Sequence, residues 1–389
     1  MTASITFFPV GNGDMTLITF DNDQTLLIDL HVRKAADDDH DDTPDVMVDL
    51  RSRLTRDDKG RMFVDGFLLS HPDKDHISGL ESHFHLGPPD EWNEDDDKIL
   101  IREMWSSPIV FRRASKNHVL CADAKAWAKE ARRRVKRFRD NGQAIVNGDR
   151  IQIMGEDQDG KTDDILAIVV KTDELVTSLN SIKSGTFEGR LLAPMPHDED
   201  EELEELLGKN QSSVIIRFSI RGGGILDKCR FLSGGDAEVA IWERLWSKHG
   251  DSKADWLAYD VLQAPHHCSW HSLSYDSYST YGEEAEVCAD ARSALAQIRK
   301  GAIIVASSET IEPEDSDPPS DRAKREYITI VDNDEDRFLC VANVWIDEER
   351  ALQYDITTSG VTKAARNVAK AAVSALGIGA TAAQARYHG

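Results

Sequence analysis

One six-residue segment, His71-Pro72-Asp73-Lys74-Asp75-His76, narrows the folds open to this chain more than any other stretch. It follows directly on Gly66-Phe67-Leu68-Leu69-Ser70, an apolar run of strand length. Ile77-Ser78-Gly79-Leu80 then opens a helix. Four side chains able to ligate a metal therefore converge on one strand-to-helix turn, with no long-range folding cost. Histidine with carboxylate suits divalent transition metals, and a bridging carboxylate can hold two ions about 3.5–4 Å apart.

Three other predicted strands end in the same kinds of residue. Thr25 to Leu30 carries Asp29, Arg230-Phe231-Leu232-Ser233 runs through Gly234-Gly235 to Asp236, and Asp260 to Ala264 runs through Pro265 to His266 and His267. Taken alone, Asp236 also fits a helix-capping aspartate, and His266/His267 a buried, satisfied pair. Strands that all end in ligands point to a site at the rim of a sheet, where loops carry function.

The rest of the chain supplies the frame. Ile5 to Val10 and Met15 to Phe20 read as strands around the turn Gly11-Asn12-Gly13-Asp14, which has hairpin chemistry and lacks the Lys-Ser/Thr of a phosphate loop. Residues 119–140 read as a helix stopping at Asn141-Gly142, with Lys125, Lys129, Arg132, Arg133, Arg134, Lys136, Arg137 and Arg139 against the single acid Glu130 over 125–139. Such a face either pairs with acidic loops or contacts nucleic-acid phosphates, through Arg132, Arg133, Arg134, Lys136 and Arg137. Ile151 to Met154, Ile165 to Val170, Ser213 to Phe218 and Ala302 to Ser307 read as strands, and Val239, Trp242, Leu245 and Trp246 as one helix face. Residues 326–357 are expected to form three closing strands, and Val361 to Leu376 of the Ala-rich end a helix. The organisation expected is one domain over 1–357, with a basic helical insertion at 112–140, and a C-terminal helix and tail over 358–389.

The chain has 389 residues and a formal net charge of −24. That acidity argues against a surface broadly coated for DNA, but it gathers in runs at 37–49, 90–97 and 198–205 and leaves a local basic face possible. Five widely spaced cysteines without a CxxC pattern suit free thiols in a reducing compartment. With no basic leader and no long apolar run, a cytoplasmic protein without membrane contact is expected.

His71-x-Asp73-x-Asp75-His76-x-x-Gly79 resembles the HxHxDH signature of the metallo-β-lactamase fold, with aspartate in the second slot. The HxDxDH form is similar to the soluble metallohydrolase domain of the ComEC/Rec2 competence proteins. Further blocks resemble that group in order: Gly11 to Ile18 with Leu27-Ile28-Asp29, Asn210-x-x-Ser213-Val214-Ile215, Phe231 to Asp236, and Asp260 to Ser269. Together they span roughly residues 5–345. The resemblance implies an α/β (α+β) fold, a four-layer αββα sandwich with metal at one edge. It implies one or two divalent ions (zinc, manganese or magnesium). His71 and Asp73 would hold one ion, Asp75 and His76 the other, Asp236 would bridge, and His267 would complete the second site. Asp29 and Asn210 would stand behind the ligands. His266, with His271 in reserve, would donate the proton to the leaving group, and Asp75 belongs to the catalytic set.

The chain departs from the pattern in three places. No histidine stands where Asn210 falls, with His197 a weaker substitute; Cys268 occupies a glycine position, where its thiol could touch metal; and Asp317-Pro318-Pro319 replaces a late His-Pro. More oxygen and fewer nitrogen ligands shift preference from zinc toward manganese or magnesium. The implied activity is hydrolysis of a phosphodiester by a metal-activated hydroxide, with nucleic acid as a possible substrate. Alternatives are hydrolysis of a small ester or lactone, or a non-catalytic metal-binding subunit partnered by a neighbouring gene's product in a defence or DNA-uptake system.

Overall fold

The computed structural model describes residues 2–37, 43–108, 120–142, 145–156, 160–183, 185–195, 213–313 and 317–365. Two large mixed sheets dominate them. Across the first run Val169–Val170, Arg150–Met154, Ile99–Ser106, Met62–Leu69, Thr25–Ile28, Thr16–Thr19, Ala3–Phe7, Leu352–Thr357 and Gly360–Lys363. Across the second run Leu175–Val176, Phe187–Ala193, Ile215–Gly222, Ile225–Ser233, Tyr259–Gln263, Ile298–Ala306 and Phe338–Cys340. Thr25–Ile28 and Met62–Leu69 are parallel neighbours, as are Ile225–Ser233, Tyr259–Gln263 and Ile298–Ala306. Parallel strands deliver all their carboxyl ends to one edge, and those ends carry the predicted ligands.

Three apolar cores hold the sheets. One lies between them, drawing Ile5, Phe7, Leu68 and Trp105 from the first and Phe218, Phe231, Val261 and Val305 from the second. Phe7 meets Phe231 edge-on at 5.8 Å and Phe20 stacks on Phe187 at 4.5 Å. A second core lies under the helices Val46–Arg53 and Ala122–Asn141. The third lies under Val239–His249, Ala289–Leu295 and Asp321–Ile330. Trp242 is buried there and Trp246 packs against it.

The basic helix is part of this frame. Trp127, Ala131, Val135 and Phe138 bury one face against the first sheet. Arg134 is wholly buried: Nε donates to Glu130 Oε1 (2.8 Å), Nη1 to the Arg150 carbonyl (3.0 Å) and Nη2 to that of Ile101 (3.1 Å). Arg133 binds Glu130 and Asp149, Arg137 lies 3.4 Å from Asp149, Arg139 pairs with Asp164 and Lys136 with Asp140. The predicted insertion is thus a packed layer whose cations largely meet carboxylates, and Arg134 does not reach solvent. Residues 109–119 lie outside the described residues.

Several local expectations are corrected. Residues 326–357 hold the end of helix Asp321–Ile330, the short strand Phe338–Cys340, helix Val341–Glu348 and strand Leu352–Thr357, rather than three strands. Ser320 caps the first of these helices by accepting from Ala323 N. Ile165 falls in the 3-10 turn Asp163–Ile168. Gly360–Lys363 is a strand where the C-terminal helix was expected to begin; residues beyond 365 lie outside the described residues, as do Asn210, His197 and the acidic run at 198–205. In the 37–49 run, Asp45 caps Val46–Arg53 and Asp49 pairs with Arg53. No helix among the described residues is long and apolar enough to cross a membrane.

The buried ion pair separates structural from surface cations on the basic helix. Arg134→Ala strips the Arg150 and Ile101 carbonyls of a buried donor, while Glu130 keeps Arg133, and should cost about 1–3 kcal/mol. Lys136→Ala, at a side chain 75% exposed, should change stability by less than about 0.5 kcal/mol. Urea denaturation of both variants checks this; matching midpoints would contradict the assignment.

Candidate metal centre

The centre lies where the carboxyl ends of both sheets meet. Asp29 follows Thr25–Ile28 with φ 58°, a left-handed conformation that aspartate tolerates. Its carboxylate accepts from Ser70 N (2.6 Å) and the Ser70 hydroxyl, which follow the strand Met62–Leu69. His76 Nδ1 is 2.8 Å from Asp29 Oδ2, and His76 Nε2 is 2.8 Å from Asp236 Oδ1 beyond the second sheet's Ile225–Ser233. His267 Nε2 is 3.2 Å from Asp75 Oδ2 and 3.6 Å from Asp236 Oδ1. Ligand atoms of Asp75, His76, Asp236 and His267 all lie within 4.8 Å of one another.

Backbone bonds fix the loops around this cluster, one of them, Val214 to Ser70, crossing from the second sheet to the first. Val214 N donates to Ser70 O (2.9 Å), His266 N to Gly235 O (2.9 Å) and Asp14 N to Asp75 O (3.1 Å). The Ser307 hydroxyl donates to Gly13 O (2.7 Å), and Thr16 Oγ1 to Gln263 Oε1 (3.3 Å). Gly13 is required by crowding: a methyl there would lie 1.9 Å from His31 Nδ1 and 2.8 Å from Asp75 O. On the helix side, Asp123 accepts from Gly79 N (3.0 Å) and Glu81 N (2.9 Å), tying the basic helix to the turn after His76.

The donor set fits a divalent cation. His76 Nε2, Asp236 Oδ1, His267 Nδ1 and Asp14 Oδ1 are buried without a hydrogen-bond partner among the described residues. In particular, His76 Nε2 and Asp236 Oδ1 are close but out of line for a hydrogen bond. Buried polar atoms are rarely left so, and one cation between His76 Nε2 and Asp236 Oδ1 would satisfy both, while His267 Nδ1 and Asp14 Oδ1 lie on the opposite side of the His267 ring. Without it, protons do part of that work. Burial opposes charge on His76, yet Asp236 and Asp29 outweigh it and push its pKa well above the ordinary imidazole range. Burial also opposes charge on His267, but the carboxylates of Asp14 and Asp236 raise it to about 10. Burial would raise Asp75 and Asp236; His267 with His76 holds Asp75 below the usual carboxylate range, and His76 with His267 holds Asp236 well below it. Burial pushes Asp29 up despite the opposing charge of His76.

The remaining predicted site residues sort by place. His267 is buried inside the cluster; His266, with 22% of its side chain exposed, stands 4.0 Å away from Asp236 Oδ2 through Nε2. His71 is buried with Nε2 3.2 Å from Asp73 Oδ2 and Nδ1 3.4 Å from the Ser213 hydroxyl, beside the four-residue cluster but not in it. His271 is half-exposed and faces Asp317 at 3.8 Å. The Cys268 thiol is buried in the third core and contacts Ser320 O at 3.9 Å, so it turns away from the cluster. His266, His267 and Cys268 all have positive φ (50°, 54° and 69°), an uncommon conformation for side-chain-bearing residues that turns the chain sharply beside the site.

The hairpin reading missed Asp14. It is 2% exposed, its Oδ1 3.5 Å from His267 Nδ1 and its Oδ2 3.9 Å from His76 Nδ1. The available signal was a charge entering an apolar strand immediately after the turn. His31 also borders the site: Nδ1 is buried without a partner, and burial lowers its pKa to about 4, so its ring is neutral at pH 7.

No family profile matches the chain, and no curated protein matches it. Among solved structures, a provisionally named metal-dependent hydrolase from Parabacteroides distasonis is similar over 78% of this chain and 81% of that chain, at 9% identity and a TM-score of 0.31.

Because His76 and His267 are protonated in the metal-free protein at pH 7, cation binding must expel close to two protons. Calorimetric titration with manganese or zinc, in buffers of differing ionisation enthalpy, should count them. Apparent affinity should climb as pH rises from 6 toward 10. Proton-free binding, or affinity flat with pH, would show that these imidazoles are not ligands.

Proposed function

We propose that the chain is a metal-dependent hydrolase of phosphodiester bonds, built as a four-layer αββα sandwich of the metallo-β-lactamase kind. The observation carrying this reading is the convergence of Asp75, His76, Asp236 and His267 from both sheets onto one buried edge. The succession of helix–sheet, sheet–sheet and sheet–helix cores supports the sandwich. The phosphodiester class is supported by the resemblance of the ordered sequence blocks to the ComEC/Rec2 metallohydrolase domain. The unbridged thiols suit the reducing cytoplasm.

Asp75, His76, Asp236 and His267 would hold the principal ion, a mixed nitrogen and oxygen set suited to zinc or manganese. His71 and Asp73, 3.2 Å apart, would hold a second. A divalent cation bound here acidifies water and offsets negative charge developing at the scissile phosphorus. Asp29 fixes the His76 ring from behind through Nδ1, leaving Nε2 to face the cluster. Asp14 faces the Nδ1 side of His267 at 3.5 Å, with Nε2 toward Asp75 and Asp236. His266 has the one partly open ring beside Asp236 and delivers a proton to the departing alkoxide. A nucleic-acid contact from the basic helix narrows to the exposed members of the predicted set, Arg132, Lys136 and Arg137.

Protein loaded with manganese, magnesium or zinc should cleave bis(p-nitrophenyl) phosphate or single-stranded DNA in preference to p-nitrophenyl acetate. Asp75→Ala and Asp236→Ala should lose both bound metal and turnover. His266→Ala should keep its metal and lose about 10²–10⁴ in kcat, the usual contribution of general acid catalysis. Metal-loaded wild-type protein that turns over neither phosphodiester would refute the assignment.

A further inference from the structure

A groove of about 580 Å³ opens beside the Gly11–Asp14 turn, lined in part by Gly11, Arg33, Pro44, Glu309, Trp345 and Ile346. It shares this turn as a wall with the metal centre. His31 rests on Gly13, and Arg33 rests on Gly11, whose φ is +79° and where a methyl would lie 3.4 Å from Arg33 Nη1. The His31 imidazole at the cluster's edge and the Arg33 guanidinium in the groove are therefore neighbours along one wall.

The groove's chemistry is mixed in a specific way. Arg33 has no ion-pair partner among the described residues. Trp345 is partly buried and Ile346 is 67% exposed, both on helix Val341–Glu348. Glu309 is fixed by its backbone N–H donating to Asn12 Oδ1 (2.9 Å), and its carboxylate oxygen would lie 3.5 Å from that same methyl on Gly11. A cation next to the centre suits one phosphate. A tryptophan suits a flat ring, and stacking on an aromatic side chain contributes about tenfold or more to affinity. A carboxylate suits ring N–H donors and repels further phosphates.

We propose that this groove binds one nucleotide unit of the substrate, its phosphate facing Arg33 and its base stacked on Trp345. The proposal rests on reading the metal centre as a phosphodiester hydrolase. It is tested by calorimetric titration of the full chain with adenosine 5′-monophosphate and ribose 5-phosphate, in chelator, so that no metal contributes. Trp345→Ala should weaken the nucleotide at least tenfold and leave ribose 5-phosphate unchanged, Trp345→Phe should lose little, and Arg33→Gln should weaken both. Circular dichroism checks that each variant is folded. Absence of nucleotide binding, or equal binding by folded Trp345→Ala, would overturn the subsite. Nucleotide binding with this pattern upholds it even if no phosphodiester is turned over, an outcome that sinks the hydrolase reading alone. Turnover of single-stranded DNA with unchanged KM in Arg33→Gln and Trp345→Ala sinks the subsite alone.

Discussion

His76 stands between two carboxylates that belong to different sheets. Asp29 holds Nδ1 from the end of the first sheet's Thr25–Ile28, and Asp236 meets Nε2 from beyond the second sheet's Ile225–Ser233. All three side chains are buried. Removing one partner of such a set strands charge in a low-dielectric interior, at about 3–5 kcal/mol. The carboxylate–imidazole–carboxylate bridge therefore both closes one edge of the sheet pair and orients the atoms that would face a metal. On the proposed reading, stability and metal binding would draw on the same three residues.

The surrounding contacts make sense as means to hold that bridge in register. The inter-sheet core sets the sheets face to face through nondirectional apolar contacts, which alone would tolerate small slips. Direction comes from bonds that cross at the edge: Val214 N to Ser70 O and Ser307 Oγ to Gly13 O. Each links a residue next to a candidate ligand with a residue from a distant part of the chain. Asp123 then extends the support outward, through the N-terminal turn of the basic helix to Gly79. A cation-rich helix that looks like a nucleic-acid contact in sequence thus also buttresses the ligand turn.

How much of this could be read in advance depended on the range of the interaction. Asp75 and His76 were legible as members of the buried cluster because the candidate ligands are local and follow a plain apolar strand. Asp236 and His267 were legible for the same reason, each a few residues beyond a strand. Asp14 was not, because a turn aspartate looks alike whether it faces water or His267, and only the packing of the two sheets turns it inward. The basic helix was legible as a helix, but Asp149 and Asp164, which take its arginines, come from later segments. The end of Asp321–Ile330, from Glu326 on, reads as strand because Tyr327-Ile328-Thr329-Ile330 is β-prone. The Ser320 cap and the burial of Ala323, Tyr327 and Ile330 at helical spacing override that local preference.

Charge balance explains how one edge could serve with and without an ion. Asp75 and Asp236 are held ionised by neighbouring imidazolium groups, and His76 and His267 are held protonated by neighbouring carboxylates. These four groups therefore sum to zero in the metal-free protein. Exchanging two imidazole protons for one divalent cation leaves the sum at zero, so the buried edge need not take on net charge when it is loaded. A second cation has no such pair of protons to displace. Its charge would have to be met by Asp73, whose side chain is 37% exposed, with Asp14 on the far side of His267. On the proposed reading the two positions would therefore be unequal: an ion among Asp75, His76, Asp236 and His267 would bind first, and one beside His71 and Asp73 would bind more weakly, in better contact with solvent.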